Sequence, residues 1–427
     1  MTNERVFAKC AWRLIPFMAL LYLVSFIDRT NAGFAALTMN KDLGFSPTVF
    51  GFGAGIFFVG YALFQVPANL ILERLGARRW VFCILAVWGL LSASNALVRS
   101  PPEFYAMRFL LGVAEAGFYP GMLLYLTYWF PRAYLARFGA NFMIAVPLSA
   151  VIGGPLASLI LQMNGVAGLP GWQWLFLMEG LPAFLLSFAV LKLLPDRPRH
   201  ASWLTDEEKN TVAARLAAED SPGRRAVWTG LRDPRVLALG LASFCYQASG
   251  YGLLLWFPQI VQGMGFSNFA NGFIVASCFV VGIPAMILGG RSSSLRDERI
   301  WHVALPLLLA AAVFATAGVM QSSTIVLATL TFGWLVFYSA YGPFFTLPST
   351  FLRGAAAASG IGLFNTFGSL GGFFGPSLFG VLKERNGDYA TGLAAAAFGL
   401  VLTAFVVLAV GRAIAPRHIL GVDAKVS

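Results

Sequence analysis

Residues 14–31 read LIPFMALLYLVSFIDRTN, an apolar stretch with an aspartate and an arginine close to its end. About 20 mostly apolar residues are enough for a helix to cross the hydrocarbon core of a bilayer. The stretch therefore predicts a membrane-spanning helix. Asp28 and Arg29 lie in its outer half, where each charge costs roughly 2.5 to 3.5 kcal/mol to bury on insertion scales, so we expect both to serve a function.

Apolar runs of this length recur along nearly the whole chain. Hydrophobic residues make up 58% and charged residues 11% of the 427 residues, whereas a soluble domain usually carries about a quarter charged residues. We therefore predict an all-α integral membrane protein with twelve transmembrane helices. The predicted spans begin near Leu14, Phe50, Trp80, Phe104, Phe138, Trp172, Val236, Phe269, Trp301, Ile325, Ala355 and Tyr389.

The positions of the thirty Lys and Arg residues explain the net charge of +11. With the N-terminus inside the cell, nearly all of those between spans fall on the cytoplasmic side, as the positive-inside rule expects. The exceptions on the outer side are Lys41, Arg99, Lys383 and Arg385. The charge therefore indicates membrane topology and no nucleic-acid partner. We expect a multi-pass protein of the cell inner (cytoplasmic) membrane, surrounded by the lipid bilayer, with both termini cytoplasmic.

One long polar stretch divides the predicted spans six and six. It covers residues 195–234, which we interpret as a cytoplasmic linker. The linker joins an N-terminal six-helix bundle, residues 1–194, to a C-terminal one, residues 235–427. Within it, Thr205 followed by acidic residues predicts a short amphipathic helix capped by Thr205.

The two halves share landmarks at one constant offset. Gly44-Phe45-Ser46 recurs as Gly265-Phe266-Ser267, and Gly154-Pro155 recurs as Gly375-Pro376. Because six spans separate the copies, both halves have the same orientation in the membrane. This parallel repeat of two six-helix bundles resembles the major facilitator fold, in which the substrate site lies at mid-membrane.

Two further charged residues, Arg108 and Glu115, lie in predicted span 4. Their spacing is nearly two helical turns and places them on one face, whereas the neighbours Asp28 and Arg29 point about 100° apart. We therefore predict crosswise pairs, Asp28 with Arg108 and Arg29 with Glu115. The alternative is a purely structural role, but apolar residues of similar volume often stabilise a fold as well as a buried ion pair does.

A buried carboxylate beside a movable cation has the properties of a proton switch. We expect Asp28 and Glu115 to take up protons from outside, which frees Arg29 and Arg108 to bind an anionic substrate. A guanidinium grips a carboxylate through two parallel hydrogen bonds, which favours organic acids over neutral solutes. The hypothesis is a secondary active transporter that imports an organic anion with protons by alternating access.

Other kinds of chemistry find little support in the sequence. The four cysteines are scattered, so neither a metal site nor a disulfide framework is indicated, and no phosphate-binding loop occurs. No span offers a nucleophile with a base, so we expect no enzyme, no metal and no cofactor. Glu179 in predicted span 6 is interpreted as a structural residue bonded to backbone or to neighbouring helices.

Motifs in five spans resemble the anion:cation symporter family of major facilitators. They are Asp28-Arg29-x-Asn31, Gly60-Tyr61 with Gln65-x-Pro67, Arg108-Phe109-x-x-Gly112-x-x-Glu115-Ala116-Gly117-Phe118-x-Pro120, Gly342-Pro343-Phe344, and Asn365-x-x-Gly368-x-x-Gly371-Gly372-x-x-Gly375-Pro376. The resemblance covers the whole chain. Members of that family are bacterial proton symporters for phthalate, tartrate, sugar acids and hydroxyphenylacetate, and relatives in animals carry glutamate or sialic acid.

The resemblance also implies roles for individual residues. Asp28 and Glu115 match the protonation sites, and Arg29 and Arg108 match the paired arginines. The implied substrate is an aromatic carboxylate, a dicarboxylate or a sugar acid. Four further residues resemble substrate-side positions, namely Tyr61, Tyr251, Phe345 and Asn365. Many members of the family have Trp at the position of Phe345.

The loop after predicted span 2 resembles the family's gating loop with two departures. Asn69 and Glu73 stand where the family usually has Gly and Asp. We expect the gating contact to be kept, and it involves Glu73, Arg74, Arg78 and Arg79.

Two other functions remain open. Gly153-Gly154-Pro155 in predicted span 5 is similar to part of the glycine-proline motif of drug antiporters, which would favour proton-coupled efflux. A membrane sensor on a transporter scaffold is the second alternative, although the short tails offer little partner surface. We expect the protein to be a monomer whose partners are protons and a small organic anion.

Overall fold

The computed structural model describes residues 3–131, 134, 145–217, 230–352 and 354–414. Every long element in these residues is an α-helix, and none of the described residues lies in a β-strand. The helices in the first half of the chain are α1 (Asn3–Leu43), α2 (Pro47–Leu75), α3 (Ala77–Ser94), α4 (Pro101–Glu115), α5 (Phe118–Thr127), α6 (Ala145–Leu161), α7 (Gly171–Leu193) and α8 (Asp206–Ala217).

The second half continues in the same way. Its described helices are α9 (Pro234–Gly263), α10 (Asn268–Val280), α11 (Gly282–Leu295), α12 (Ile300–Ala317), α13 (Ser323–Ser339), α14 (Tyr341–Thr346), α15 (Gly354–Asn386) and α16 (Ala390–Ile414).

Nine helical segments in the described part of the chain are long and apolar enough to cross a membrane. Three of these segments are helix pairs with a local interruption, namely α4 with α5, α10 with α11, and α13 with α14. Helix α6 is a shorter apolar helix. Large apolar side chains on these segments are exposed, among them Leu63 at 62%, Leu288 at 65% and Phe398 at 64%. Broad apolar surface of this kind is typical of contact with lipid. The predicted all-helical membrane fold is confirmed.

The sequence repeat has a structural counterpart at the starts of α2 and α10. Gly44 and Gly265 have φ angles of 65° and 90°, in the left-handed region that favours glycine. Two residues later, the hydroxyl oxygens of Ser46 and Ser267 accept hydrogen bonds from backbone N–H groups in the first helical turn, at 3.3 and 3.2 Å. Both copies therefore use the same glycine turn and the same serine cap.

The described residues belong to two compact units. One unit takes its residues from Met1–Ser221, Leu254–Val280 and Pro376–Glu384, and the other from Pro222–Leu253, Val281–Gly375 and Arg385–Ser427. The first unit contains the charged residues of predicted spans 1 and 4.

The linker contains the expected capped helix, α8. The Thr205 hydroxyl accepts a hydrogen bond from the Glu208 backbone N–H at 3.3 Å, and the Glu208 carboxylate accepts one from the Thr205 N–H at 2.8 Å. This reciprocal arrangement is a capping box. The same carboxylate forms an ion pair with Lys9 of α1 at 2.8 Å. The linker helix is thereby tied to the N-terminal part of α1.

Candidate functional site

Close packing of α2 against α4 sets the position of the charged side chains on α4. A Cβ at Gly112 would overlap the carbonyl oxygen of Phe57, and one at Gly60 would overlap the carbonyl oxygen of Phe109. Glycine at both positions therefore lets the two helices approach closely. Arg108 lies one turn before Gly112, and its guanidinium carbon is 5.2 Å from the centroid of the Phe57 ring.

Arg29 and Glu115 form a buried ion pair between α1 and α4. Arg29 Nη2 donates to Glu115 Oε1, and the Ser25 hydroxyl donates to the same oxygen. Ser25 and Arg29 are one turn apart on α1, so both side chains reach Glu115 from the same face. Glu115 and Ser25 are fully buried, which keeps water away from the pair. This half of the crosswise prediction is confirmed.

Among the described residues, Asp28 binds neutral donors and no arginine. Its Oδ2 accepts a hydrogen bond from Trp88 Nε1 at 2.6 Å, and its Oδ1 accepts hydrogen bonds from the Ser92 hydroxyl and from Asn31 Nδ2, the latter at 3.0 Å. The predicted pair of Asp28 with Arg108 is wrong. The cause is the angle between neighbouring residues on a helix: Arg29 points toward α4, and Asp28 points toward α3.

Arg108 is a fully buried cation for which the described part of the chain provides no hydrogen-bond partner. Within the described residues, none of its three guanidinium nitrogens meets an acceptor. The charges of Asp28, Glu115 and Arg29 act on it through space. A buried guanidinium without acceptors has lost its water and gained no replacement, which costs free energy. Its five N–H groups keep their full capacity to bind an anion in a planar, two-pronged geometry.

Aromatic rings surround the other arginine. The Arg29 guanidinium carbon lies 4.8 Å from the centroid of Phe26, 5.3 Å from that of Phe57 and 5.1 Å from that of Tyr61. Such contacts stabilise a cation by roughly 0.5 to 2 kcal/mol. Tyr61, a predicted substrate contact, is therefore in the same group of side chains as the charged residues. Its contact with substrate stays a prediction.

The other three predicted substrate contacts belong to the second unit. Tyr251 is on α9, Phe345 on α14 and Asn365 on α15. Phe345 packs within an aromatic cluster, where its ring centroid is 4.6 Å from that of Tyr341 and 5.7 Å from that of Phe364. Their substrate role stays a prediction.

The predicted gating residues surround the turn between α2 and α3. The side chain of Glu73 lies outside the described residues, and Arg74, Arg78 and Arg79 are exposed. Gly76 makes the turn with a φ angle of 84°, and the carboxylate of Asp196 accepts a hydrogen bond from the Arg78 backbone N–H at 2.8 Å. The turn is thus fixed to the segment that follows α7. Its gating function stays a prediction.

Glu179 is a buried acid for which the described residues give no hydrogen bond of standard geometry. It is 4% exposed on α7, and neither carboxylate oxygen has a hydrogen-bond partner among the described residues. The interpretation that it is bonded to backbone or neighbouring helices therefore stays a prediction. The described side chains also contain no group of three or more His, Cys, Asp or Glu that could hold a metal ion.

Sequence reasoning missed the neutral donors of the site. Ser25 holds Glu115, and Trp88 and Ser92 hold Asp28. A signal was present in the sequence, because Ser25 is one turn from Arg29 and Ser92 is one turn from Trp88 on otherwise apolar helices.

Known proteins with similar sequences are membrane transporters. The family model of the Major Facilitator Superfamily matches residues 18–376. A protein of Agrobacterium vitis named "Putative tartrate transporter" is 47% identical over 413 residues, which are 96% of this chain and 95% of the relative. A "Quinolone resistance transporter" of Acinetobacter baumannii is 41% identical over 410 residues, or 94% of either protein.

A solved structure agrees with this grouping at the level of the fold. A bacterial homologue of the human lysosomal transporter Spinster, in an inward-facing and occupied conformation, has a TM-score of 0.77 at 18% identity over 93% of this chain and 96% of its own. At that identity the likeness concerns the fold alone.

Proposed function

The chain belongs to the major facilitator superfamily and is a membrane transporter, not an enzyme, and we propose that it imports an organic anion together with protons. The transport is secondary active and proceeds by alternating access. Among aromatic carboxylates, sugar acids and dicarboxylates, a short dicarboxylate is favoured, because the relative from Agrobacterium vitis is named for tartrate.

The state of Arg108 carries the proposal. A fully buried guanidinium without acceptors is costly to the fold, and its cost is offset when a carboxylate binds it through two hydrogen bonds. A neutral solute offers no such compensation. Arg108 therefore takes the first carboxylate of the substrate.

Proton coupling resides in the pair of Arg29 and Glu115. While Glu115 is charged, it holds Arg29 and competes with the substrate for the same guanidinium. A proton on Glu115 removes that competition, and Arg29 then binds the second carboxylate. On the inner side, loss of substrate and deprotonation of Glu115 restore the pair.

Asp28 acts by its charge and not by releasing an arginine. Its field reaches Arg108 without any bond between them. A charged Asp28 therefore repels an anion that approaches Arg108, and its protonation lowers that repulsion.

The remaining architecture is part of the same proposal. The chain has twelve spans in two bundles, residues 1–194 and 235–427, joined by the linker 195–234, and both termini are cytoplasmic. The gating turn that includes Glu73 and the three arginines after it controls the inner side. The protein works as a monomer in the inner membrane.

Transport into proteoliposomes tests the proposal. An inward proton gradient should drive accumulation of L-tartrate by the wild-type protein but not of threitol, its uncharged analogue. Arg108→Met should abolish uptake. Glu115→Gln should lose accumulation driven by the gradient and keep exchange of tartrate across the membrane. Arg99→Met, at an exposed loop position, is the matched control and should transport normally.

Two results would contradict the proposal. The first is full tartrate uptake by Arg108→Met, which would remove Arg108 from the site. The second is undiminished proton-driven accumulation by Glu115→Gln, which would remove Glu115 from the coupling.

Efflux is a second candidate, because the relative from Acinetobacter baumannii is named for quinolone resistance. The same vesicles with the gradient inverted separate the two functions. Proton-driven expulsion of a quinolone, without tartrate uptake, would favour efflux.

A further inference from the structure

Glu179 is the buried acid that the proposed transport cycle leaves unused. It lies on α7, is 4% exposed, and has no hydrogen-bond partner at either oxygen within the described chain. A buried carboxylate anion without donors is far more costly than a buried neutral acid. We therefore expect Glu179 to carry its proton.

The packing of α7 places Glu179 beside the Asp28 group. At the next residue, Gly180, a Cβ would lie 2.6 Å from the backbone nitrogen of Ala93 and 3.0 Å from the Cβ of Ser92. Helix α7 therefore runs in close contact with α3 at the turn that binds Asp28. The charge of Asp28 acts on Glu179, and the Asn31 side chain is close enough to act on it as a hydrogen-bond partner.

Asn31 joins the two acids. Its Nδ2 donates to Asp28 at 3.0 Å, and its Oδ1 has no donor among the described residues although the side chain is 1% exposed. The amide has one acceptor to offer, and a protonated Glu179 has one O–H to donate. A hydrogen bond between them satisfies both groups and holds the Asn31 amide with its nitrogen toward Asp28.

Few other charged groups face Glu179. The elements packed against α7 are α1, α3, α6 and the short turn at residues 95–97. Helix α1 contributes Asp28 and, about two turns of α7 away from Glu179, Asp42, whose Oδ2 accepts a hydrogen bond from Trp172 Nε1 at 3.0 Å. Helix α6 contains no titratable residue, and the charged residues of α3 are Arg78 and Arg79 at its far end. Among these groups, Asp28 is the one whose charge acts on Glu179. Of the two acids, Asp28 has three hydrogen-bond donors, whereas Glu179 has none of standard geometry among the described residues.

We propose that Glu179 is a protonated acid that positions Asn31 on Asp28, and so sets how readily the coupling carboxylate Asp28 takes up a proton. Glu179 is a positioning residue and does not touch the substrate. The inference rests on the proposed proton symport, in which Asp28 changes its charge.

Two variants separate a positioning role from simple packing. Glu179→Gln keeps the shape and a donor, and Glu179→Leu keeps the approximate volume without a donor. In Glu179→Leu the Asn31 amide is free to turn away, so Asp28 loses up to one hydrogen bond. The pH midpoint of tartrate uptake should move upward by about 0.5 to 1 pH unit. Glu179→Gln should keep the wild-type midpoint. Met178→Leu, at a lipid-exposed neighbouring position, should also keep it.

Infrared spectroscopy of the purified protein gives a readout that does not depend on transport. At pH 7 the wild type should show the carbonyl band of a protonated carboxylic acid, and Glu179→Gln should lose it. Absence of that band from the wild type would overturn the inference, even if proton symport is correct.

The transport data overturn it in two further ways. One is a wild-type midpoint in Glu179→Leu, and the other is an equal shift in Glu179→Gln and Glu179→Leu, which would mean that Glu179 itself titrates. Uptake by the wild type that ignores the pH gradient would instead refute the proposed symport, and the infrared band would still report on the protonation of Glu179.

Discussion

The two buried arginines should respond to the same substitution with opposite changes in stability. Arg29→Met removes the cation from Glu115 and leaves a buried carboxylate whose remaining donor among the described residues is the Ser25 hydroxyl. Arg108→Met removes a buried cation that has no hydrogen-bond partner in the described residues. Methionine keeps much of the length and flexibility of the arginine stem, so packing changes little at either position.

The magnitudes follow from these surroundings. Breaking a buried ion pair by removing one partner costs roughly 3 to 5 kcal/mol. For a folding unit of about 250 residues, 1 kcal/mol corresponds to about 2 °C, so the melting temperature of Arg29→Met should fall by about 6 to 10 °C. Removing an unsatisfied buried group relieves about 1 to 3 kcal/mol, and the lost contact with Phe57 offsets roughly 0.5 to 1 kcal/mol. The net relief of about 0.5 to 2 kcal/mol means that Arg108→Met should melt about 1 to 4 °C higher.

Thermal unfolding followed by tryptophan fluorescence in detergent measures both shifts. Tartrate at 100 times its dissociation constant should stabilise the wild type by about 2.7 kcal/mol, or about 5 °C, and neither variant should show this gain. Arg99→Met should melt and respond as the wild type does. A fall in melting temperature for Arg108→Met as large as that for Arg29→Met would mean that Arg108 has a structural partner, and the reasoning would fail.

Two further predictions concern the frame around the site. Gly112→Ala should lower the melting temperature by an amount that corresponds to about 1 to 3 kcal/mol, because the added Cβ overlaps the Phe57 carbonyl. Gly290→Ala is the control and should leave the melting temperature unchanged, because a Cβ there meets nothing within 4 Å. Equal effects of the two substitutions would refute the packing argument. Lys9 and the Thr205 N–H hold the pKa of Glu208 below its ordinary value of 4.5, so this attachment of α8 should persist at neutral pH and be lost as the pH falls through that lowered pKa. The protection of residues 206–217 against hydrogen exchange, relative to the intrinsic exchange rate at each pH, should therefore fall in acid and, at neutral pH, in Glu208→Gln; unchanged protection in that variant would show that the contact does not hold the helix.

Local chemistry made part of the fold predictable from the sequence. The cap at Thr205 depends on a few adjacent residues and forms as predicted. The serine caps after Gly44 and Gly265 were not predicted, but they are equally local and recur with the sequence repeat. The pairing of Arg29 with Glu115 was also accessible, because helical spacing defines which side chains share a face.

The other partners of the buried charged residues depend on which helices pack against each other. The periodicity of a single helix contains no information about its neighbours. Asp28 was expected to meet Arg108, but side chains of α3 reach α1 directly, and Trp88 and Ser92 of α3 donate hydrogen bonds to the carboxylate. The same limit applies to Glu179, whose neighbours Asp28 and Asn31 on α1 could not be identified from the sequence of α7. A buried polar group can be located in a sequence, but its partners are known only once the helices are packed.

The unequal surroundings of the two arginines impose an order on the proposed cycle. Arg108 binds a carboxylate without giving up a partner, whereas Arg29 must first leave Glu115. Separating that pair while Glu115 is charged costs roughly 3 to 5 kcal/mol, which weakens binding of the second carboxylate by about a hundredfold to several thousandfold. A proton on Glu115 abolishes the cost, because a neutral acid needs no cation. In the proposed cycle, competition for Arg29 between Glu115 and the substrate is thus sufficient to couple dicarboxylate transport to proton uptake. A monocarboxylate that binds Arg108 alone would leave the pair of Arg29 and Glu115 intact and would not be coupled in this way.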